Sequence, residues 1–164
     1  MESLFAYPYF EAFLQIILAM VLGSVLGFQR YFIGKTAGMR TYSLVSMGAC
    51  LFILISAMVV GGPLFETTNI DPLHVMAGII TGIGFLGAGL IIFKDSKLTG
   101  LTTAAGLWVA AGIGIAVGYK FYAIAIFTTL VTLFNFTILW RIERSLKHIA
   151  DKADKEDMPD MGGQ

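Results

Sequence analysis

Charge is scarce in this chain. Of 164 residues, 13% are charged, about half the share of an average soluble domain. Eleven basic residues balance eleven acidic ones, for a formal net charge of +0. That balance excludes a global basic field for nucleic acid. Cysteine is almost absent. Cys50 alone cannot form an internal disulfide, and it offers no metal or redox framework. Its apolar neighbours mark it as a small buried hydrophobe. The two histidines, His74 and His148, are far apart in sequence, so neither a zinc site nor a Ser/His/Asp arrangement can be assembled. The residues therefore point to no catalytic set, no metal and no cofactor, and to a protein that is not an enzyme. The opening "MESLFAYPYFEAF" lacks the positive region of a cleavable signal, so the first apolar segment is expected to stay as an anchor.

What the chain has instead is apolar surface. Hydrophobic residues make up 57% of it, and the mean hydropathy is +0.80. A globule of this size cannot hide so much from water, but a bilayer can receive it. A helix that crosses the hydrocarbon core needs about 20 mostly apolar residues. Five segments qualify: Ala12–Phe28, Thr41–Val60, Leu73–Phe93, Leu101–Gly118 and Phe121–Trp140. The fourth is the weakest, being rich in Gly and Ala. Only Tyr119 and Lys120 separate it from the fifth, which implies a tight helical hairpin. The expected fold is an all-α polytopic transmembrane bundle of five spans over residues 1–140. A cytoplasmic amphipathic helix and a disordered tail are expected over 141–164, where Ile142, Leu146, Ile149 and Ala153 recur at helical spacing.

Lys and Arg in the loops set the orientation. Arg30, Lys35 and Arg40 lie between the first two segments. Lys94 and Lys97 lie between the third and fourth, and Arg141, Arg144 and Lys147 follow the fifth. The second loop holds Glu66 and Asp71 and no base. The N-terminus is therefore expected outside and the C-terminus in the cytoplasm, with Lys120 a small violation.

The stretch "TGIGFLGAGLIIF" contains G-x-G-x-x-G at Gly82, Gly84 and Gly87. A dinucleotide site needs that pattern between a strand and a helix, whereas here it sits inside a span-length apolar run. Small residues let helices approach closely in lipid. Ala77, Thr81, Gly84 and Ala88 share a stripe on the third segment, with Gly78 and Gly82 beside it. Thr103, Gly106, Ala110, Gly114 and Gly118 match it on the fourth, and Gly23 and Gly27 give the first a G-x-x-x-G. These residues are expected to pack helices one, three and four together. The alternative is a bare backbone lining for an ion path.

Three blocks carry a resemblance in the right order: "GSVLGFQRYFIGKTAGMRTYSLVSMGA", "TGIGFLGAGLI" and "GLTTAAGLWVAAGIGIAVG". Together they resemble the MgtC/SapB family of bacterial inner-membrane proteins, over roughly Leu14 to Ala123. The resemblance implies a five-helix domain in the inner membrane and a role in adaptation to low magnesium and to life inside host cells. It also implies action by binding other membrane proteins, including the ATP synthase. Members of the virulence type carry an extra soluble C-terminal domain, which is not expected here. Arg30 matches the Arg of the family's Glu-Arg pair, with Gln29 where the family has Glu. Gly38, Arg40 and Thr41 match its "G-[LM]-R-T" block, Asp71 an acid before the third helix, Thr102 a Thr or Asn position, and Trp108 the Trp of "LW". His74, Gly78 and Thr99 stand where the family usually has Arg, Gln and Arg.

Arg30 and Arg40 are expected at the headgroup level, reaching toward water and lipid phosphate; the sharper reading has Arg40 capping a helix or pairing an acid. Asp71 before Pro72 reads as a helix cap, or with Glu66 as a cation-attracting pair. Thr128, Thr132 and Asn135 form a polar stripe suited to interhelical hydrogen bonds, and Glu11 and Gln15 share one face of the first segment. The expected function is non-enzymatic: modulation of a membrane transporter or ATPase in magnesium or stress adaptation. Its expected partners are the lipid bilayer, such a membrane protein, and a second copy in a homo-oligomer, most simply a dimer. The alternative is a small dimeric transporter or channel with a path along the glycine-rich third and fourth segments.

Overall fold

The computed structural model describes residues 8–60, 71–94, 97–142 and 145–146. Five helices in it are long and apolar enough to cross a membrane. In order they are α1 (Pro8–Phe32), α2 (Met39–Val60), α3 (Pro72–Leu90), α4 (Leu101–Gly118) and α5 (Tyr122–Phe134), the last continued by a π-helical stretch, Asn135–Leu139. The spans run from 18 to 24 residues. At a rise of about 1.5 Å per residue they match a hydrocarbon core of roughly 30 Å.

The fold is not purely α-helical. The third segment was expected to run to Phe93, but α3 stops at Leu90. Ile91 turns extended, with its N–H on the carbonyl of Ala88. A short antiparallel hairpin follows, β1 (Ile92–Lys94) against β2 (Lys97–Thr99), with Ile92 opposite Thr99. β-branched and aromatic residues here favour the extended chain, and the Thr99 hydroxyl donates to the carbonyl of Ile92. Gly100 then opens α4 at φ 91°, against the carbonyl of Leu90. Only glycine adopts that conformation freely.

α4 is the hub. Of its span 61% is buried, against 6% for α3. α3 does pack on α4, as expected, with Ile79 and Ile83 against the cluster of Ala111 and Ile115, but at ordinary contact; the closest approaches bring α2 against α1 and α4. A Cβ at Gly23 would lie 2.6 Å from the carbonyl oxygen of Tyr42, and one at Gly27 2.7 Å from that of Gly38. A Cβ at Gly114 would drive into the backbone of Ser46, on α2. By contrast, a Cβ at Gly78, Gly82 or Gly84 would meet nothing within 4 Å, and one at Gly87 would rest at ordinary contact, 3.5 Å, on Ala104. The stripe periodicity is present on both helices, but the close approach goes to α2, which carries Ser46, Ala49 and Cys50 where it crosses α4. Ala19, Leu26, Tyr42, Leu107, Ala110, Ile113 and Val117 fill the middle of the bundle.

The α4–α5 turn closes as a Schellman motif. Lys120 N–H donates to Val117 O and Phe121 N–H to Ala116 O. Lys120 takes the left-handed position, φ 65°, that glycine usually fills.

Candidate functional site

Polar side chains gather at the two ends of the bundle. At one end, α1 and α2 begin and end beside the α4–α5 turn. Gln15 is buried, and its Nε2 donates to Val117 O at 2.7 Å and Gly118 O at 3.2 Å, satisfying carbonyls at the C-terminus of α4. Nearby, Lys120 pairs with Glu11 on the surface. That carboxylate, by hydrogen bond and charge, holds the Lys120 ammonium above its ordinary 10.5. Asp71 caps α3, its Oδ1 accepting from the Leu73 N–H at 2.9 Å.

The other end is built on Arg30, in the last turn of α1. The expectation that Arg30 reaches out to headgroups is corrected: the side chain turns inward and is only 3% exposed. Its Nη2 donates to Thr103 Oγ1, in the first turn of α4, at 2.8 Å. The guanidinium also lies over the ring of Phe136, 4.7 Å from its centroid, an arrangement favourable for a cation. Arg30 Nε is buried without a partner among the described residues. Tyr42 Oη donates to the carbonyl of Thr103 at 3.4 Å. Gln29 Nε2 donates at 2.9 Å to Phe136 O, within the π-helical stretch, where widened backbone geometry frees carbonyls. Gln29 Oε1 has no partner among the described residues. Helices α1, α2, α4 and α5 thus meet through one buried polar cluster.

Of the remaining sequence candidates, Arg40 and Trp108 are exposed, and Arg40 makes no side-chain bond to a helix end or an acid among the described residues. Thr102 is exposed at the start of α4. With Gly106, Thr132, Asn135 and Phe136 it lines a cavity of about 220 Å³ between α4 and α5. Thr132 Oγ1 donates to Thr128 O of its own helix, so the expected interhelical bond is not formed. Thr81 likewise bonds Ala77 O, and Ala88 lies in the last turn of α3. A second, apolar groove of about 700 Å³ runs between α2 and α3, lined by Leu44, Gly48, Phe52, Gly78, Gly82 and Leu86. Among the described residues no three His, Cys, Asp or Glu converge as metal ligands. Glu66, His148 and the tail beyond Leu146 lie outside the described residues.

Sequence reasoning missed the clustering of Gln15, Tyr42 and Phe136 with the helix ends. The available signal was a glutamine four residues after Glu11 in an otherwise apolar run.

Five apolar spans around a small-residue hub, with the described charged side chains at the ends of the helices and in their connections, define a multi-pass membrane protein. The sequence matches the MgtC family over residues 16–145, and the chain belongs to that family. It is 37% identical over 124 residues to the "Putative magnesium transporter YhiD" of Escherichia coli (strain K12), covering 75% of this chain and 58% of that one. It is 39% identical to Protein SrpB of Synechococcus elongatus, over 78% of this chain and 76% of SrpB. Protein MgtC of Salmonella typhimurium (strain LT2) is 35% identical over 94% of this chain and 62% of its own length. This chain therefore spans a little under two thirds of YhiD and MgtC. No solved structure matches it significantly.

Proposed function

We propose that this protein is a non-enzymatic modulator in magnesium or envelope-stress adaptation, acting by lateral helix contact on a membrane transporter or ATPase. The Arg30 end would face the cytoplasm of a bacterial inner membrane, as the loop cations favour. One observation carries the reading: α3 crosses the membrane with only 6% of its span buried. In lipid, small residues that face no neighbour are the surface on which another helix packs closely, and Gly78 and Gly82 have open space above them. The magnesium link rests on the family and on the printed name of YhiD.

The second reading, a small dimeric transporter, draws on that same name and on the cavity at Thr102 and Asn135. Against a path through one chain stand Leu107, Ala110, Ile113 and Cys50, all buried between the two polar ends. A tagged purification from native membranes in mild detergent, followed by mass spectrometry, tests the choice. A stoichiometric transporter or ATPase subunit is expected. A clean homo-oligomer that moves Mg²⁺ in proteoliposomes would refute the modulator reading.

A further inference from the structure

We propose that α5 is the face on which a second copy of this chain docks, around a two-fold axis along the membrane normal that brings Asn135 against Asn135 of the partner subunit. α5 is a different helix from α3, so the inference is independent of the modulator reading. Its span, Tyr122–Ile142, is only 22% buried. Asn135 lies roughly 10 Å inside the Ile142 end of that span. The residue is exposed, and its side-chain amide makes no hydrogen bond among the described residues. A Lys or Arg at that depth would reach for the interface, but the asparagine side chain is too short to do so.

A side-chain amide that faces hydrocarbon without a partner is costly. Lipid tails offer it neither donor nor acceptor. A second copy offers both. Copies inserted in one membrane share an orientation, and across a two-fold axis a residue on the axis meets itself. The amide carries donors and an acceptor, so two identical copies satisfy each other through a reciprocal pair of hydrogen bonds. A different protein would have to bring a polar group of its own to that same depth.

The neighbours of Asn135 supply the rest of a seam. Ile124, Thr128, Val131 and Asn135 follow one another at alternating spacings of four and three, the pattern of a coiled-coil contact line. Leu139 continues the line across the π-helical stretch, whose wider turn moves the next position one residue further on. Ile124, Val131 and Leu139 are all exposed. The β-branched side chains among them are stiff and lose little freedom when packed. One asparagine in such a seam fixes its register and the number of helices that share it. Beside it, Val131 and Asn135 border the cavity of about 220 Å³ that Gly106 and Val109 of α4 also line. That recess is a hole of the kind a side chain from an opposing helix fills.

Self-association of the full chain in proteoliposomes tests it. Energy transfer between copies that carry a donor or an acceptor label at the C-terminus is followed as the protein is diluted in lipid. The wild type is expected to dimerise, and Asn135→Leu to weaken the dimer about tenfold, the worth of a pair of interhelical amide bonds. Position 135 is exposed, so the leucine meets lipid and leaves the fold intact, which far-ultraviolet circular dichroism checks. The position of the axis is read separately, by oxidative cross-linking in native membranes with Cys50 replaced by alanine. Leu139→Cys should cross-link two copies, and Leu130→Cys, exposed on another side of α5, should not. The proposal is overturned if the wild type stays monomeric at every protein-to-lipid ratio, if Asn135→Leu dimerises as the wild type does, or if Leu139→Cys cross-links no better than Leu130→Cys.

Discussion

Replacing Gly114 by alanine adds one methyl group at the tightest crossing in the bundle. The new Cβ would drive into the carbonyl of Ser46, with the Ser46 carbonyl carbon at 2.8 Å and Ala49 Cβ at 3.1 Å. Carbon atoms rest at about 3.5–4.0 Å, and the nearest atoms are backbone, so no side chain can swing away. α2 must withdraw from α4 by roughly 1 Å. A gap of that size forfeits about a quarter to a half of each dispersion contact it opens. Overpacking of this kind costs roughly 1–3 kcal/mol, and nothing in lipid replaces the lost packing. The control is Gly82→Ala on α3, where the new methyl meets nothing within 4 Å. Both variants share the helix-propensity gain of up to about 1 kcal/mol, a figure measured in water, so it cancels between them. The difference should therefore be about 2 kcal/mol, with Gly114→Ala the less stable. Reversible unfolding in mixed micelles by a titration with dodecyl sulfate, followed by tryptophan fluorescence, measures it. Equal stabilities within about 0.5 kcal/mol, or a larger loss at Gly82, would refute the assignment of the close approach to α2 rather than α3.

Gln15→Leu should cost about 1 kcal/mol, because it strips the side-chain donor from the Gly118 carbonyl at the end of α4, while Val117 O keeps the Lys120 N–H; the same titration reads it, and an unchanged midpoint would show that water replaces the amide. Gln29→Glu removes the donor to Phe136 O unless the new carboxyl is protonated. The lost donor should lower stability by about 1–2 kcal/mol at neutral pH, and an unchanged midpoint in the same titration would show that Arg30, not the carbonyl, governs the position. At the other end, Glu11 raises the pKa of Lys120, so the pair contributes below pH 10.5 and its contribution fades as the pH rises through the raised value. Glu11→Gln should flatten that alkaline decline, and a decline of the same slope in the variant would assign it to other groups.

The five spans were legible because a bilayer imposes length and hydropathy directly on the sequence. The turn at Tyr119 and Lys120 was legible for the same reason: two residues leave room only for a hairpin. The end of α3 was not. "LIIFK" is apolar enough to extend a span, and hydropathy does not distinguish a helix from a strand in a run of Ile and Phe. Nor did the sequence indicate which helix would take the hub. α4 is the most buried helix though not the most hydrophobic, because in lipid a helix is buried for its small size rather than its apolarity. The small-residue stripe on α3 looks equivalent in sequence, and only the crossing of α2 over α4 decides between them. Arg30 was misplaced for a related reason. Loop position suggests a side chain that reaches for water, but Thr103 and Phe136, more than 70 residues away, turn it inward.

The two polar ends divide the helices into a fixed set and an exception. Gln15 ties α1 to the end of α4, and Arg30 ties α1 to its start. Tyr42 adds α2, and Gln29 adds the π-helical continuation of α5. The side-chain hydrogen bonds of α3 stay within the helix among the described residues: Asp71 caps its own first turn, and Thr81 bonds Ala77. α3 is therefore held by apolar packing against α2 and α4 and by its tether through the hairpin to α4. In water such packing would carry the full hydrophobic drive, but in a bilayer the lipid tails compete for the same surface on nearly equal terms. The helix with no polar tie to its neighbours is then the one whose contacts exchange most readily with those of another protein. It is also the helix that carries Gly78 and Gly82 on the rim of the apolar groove. The same energetics that fix α1, α2, α4 and α5 as a frame make α3 the face a partner helix would take on the proposed modulator reading.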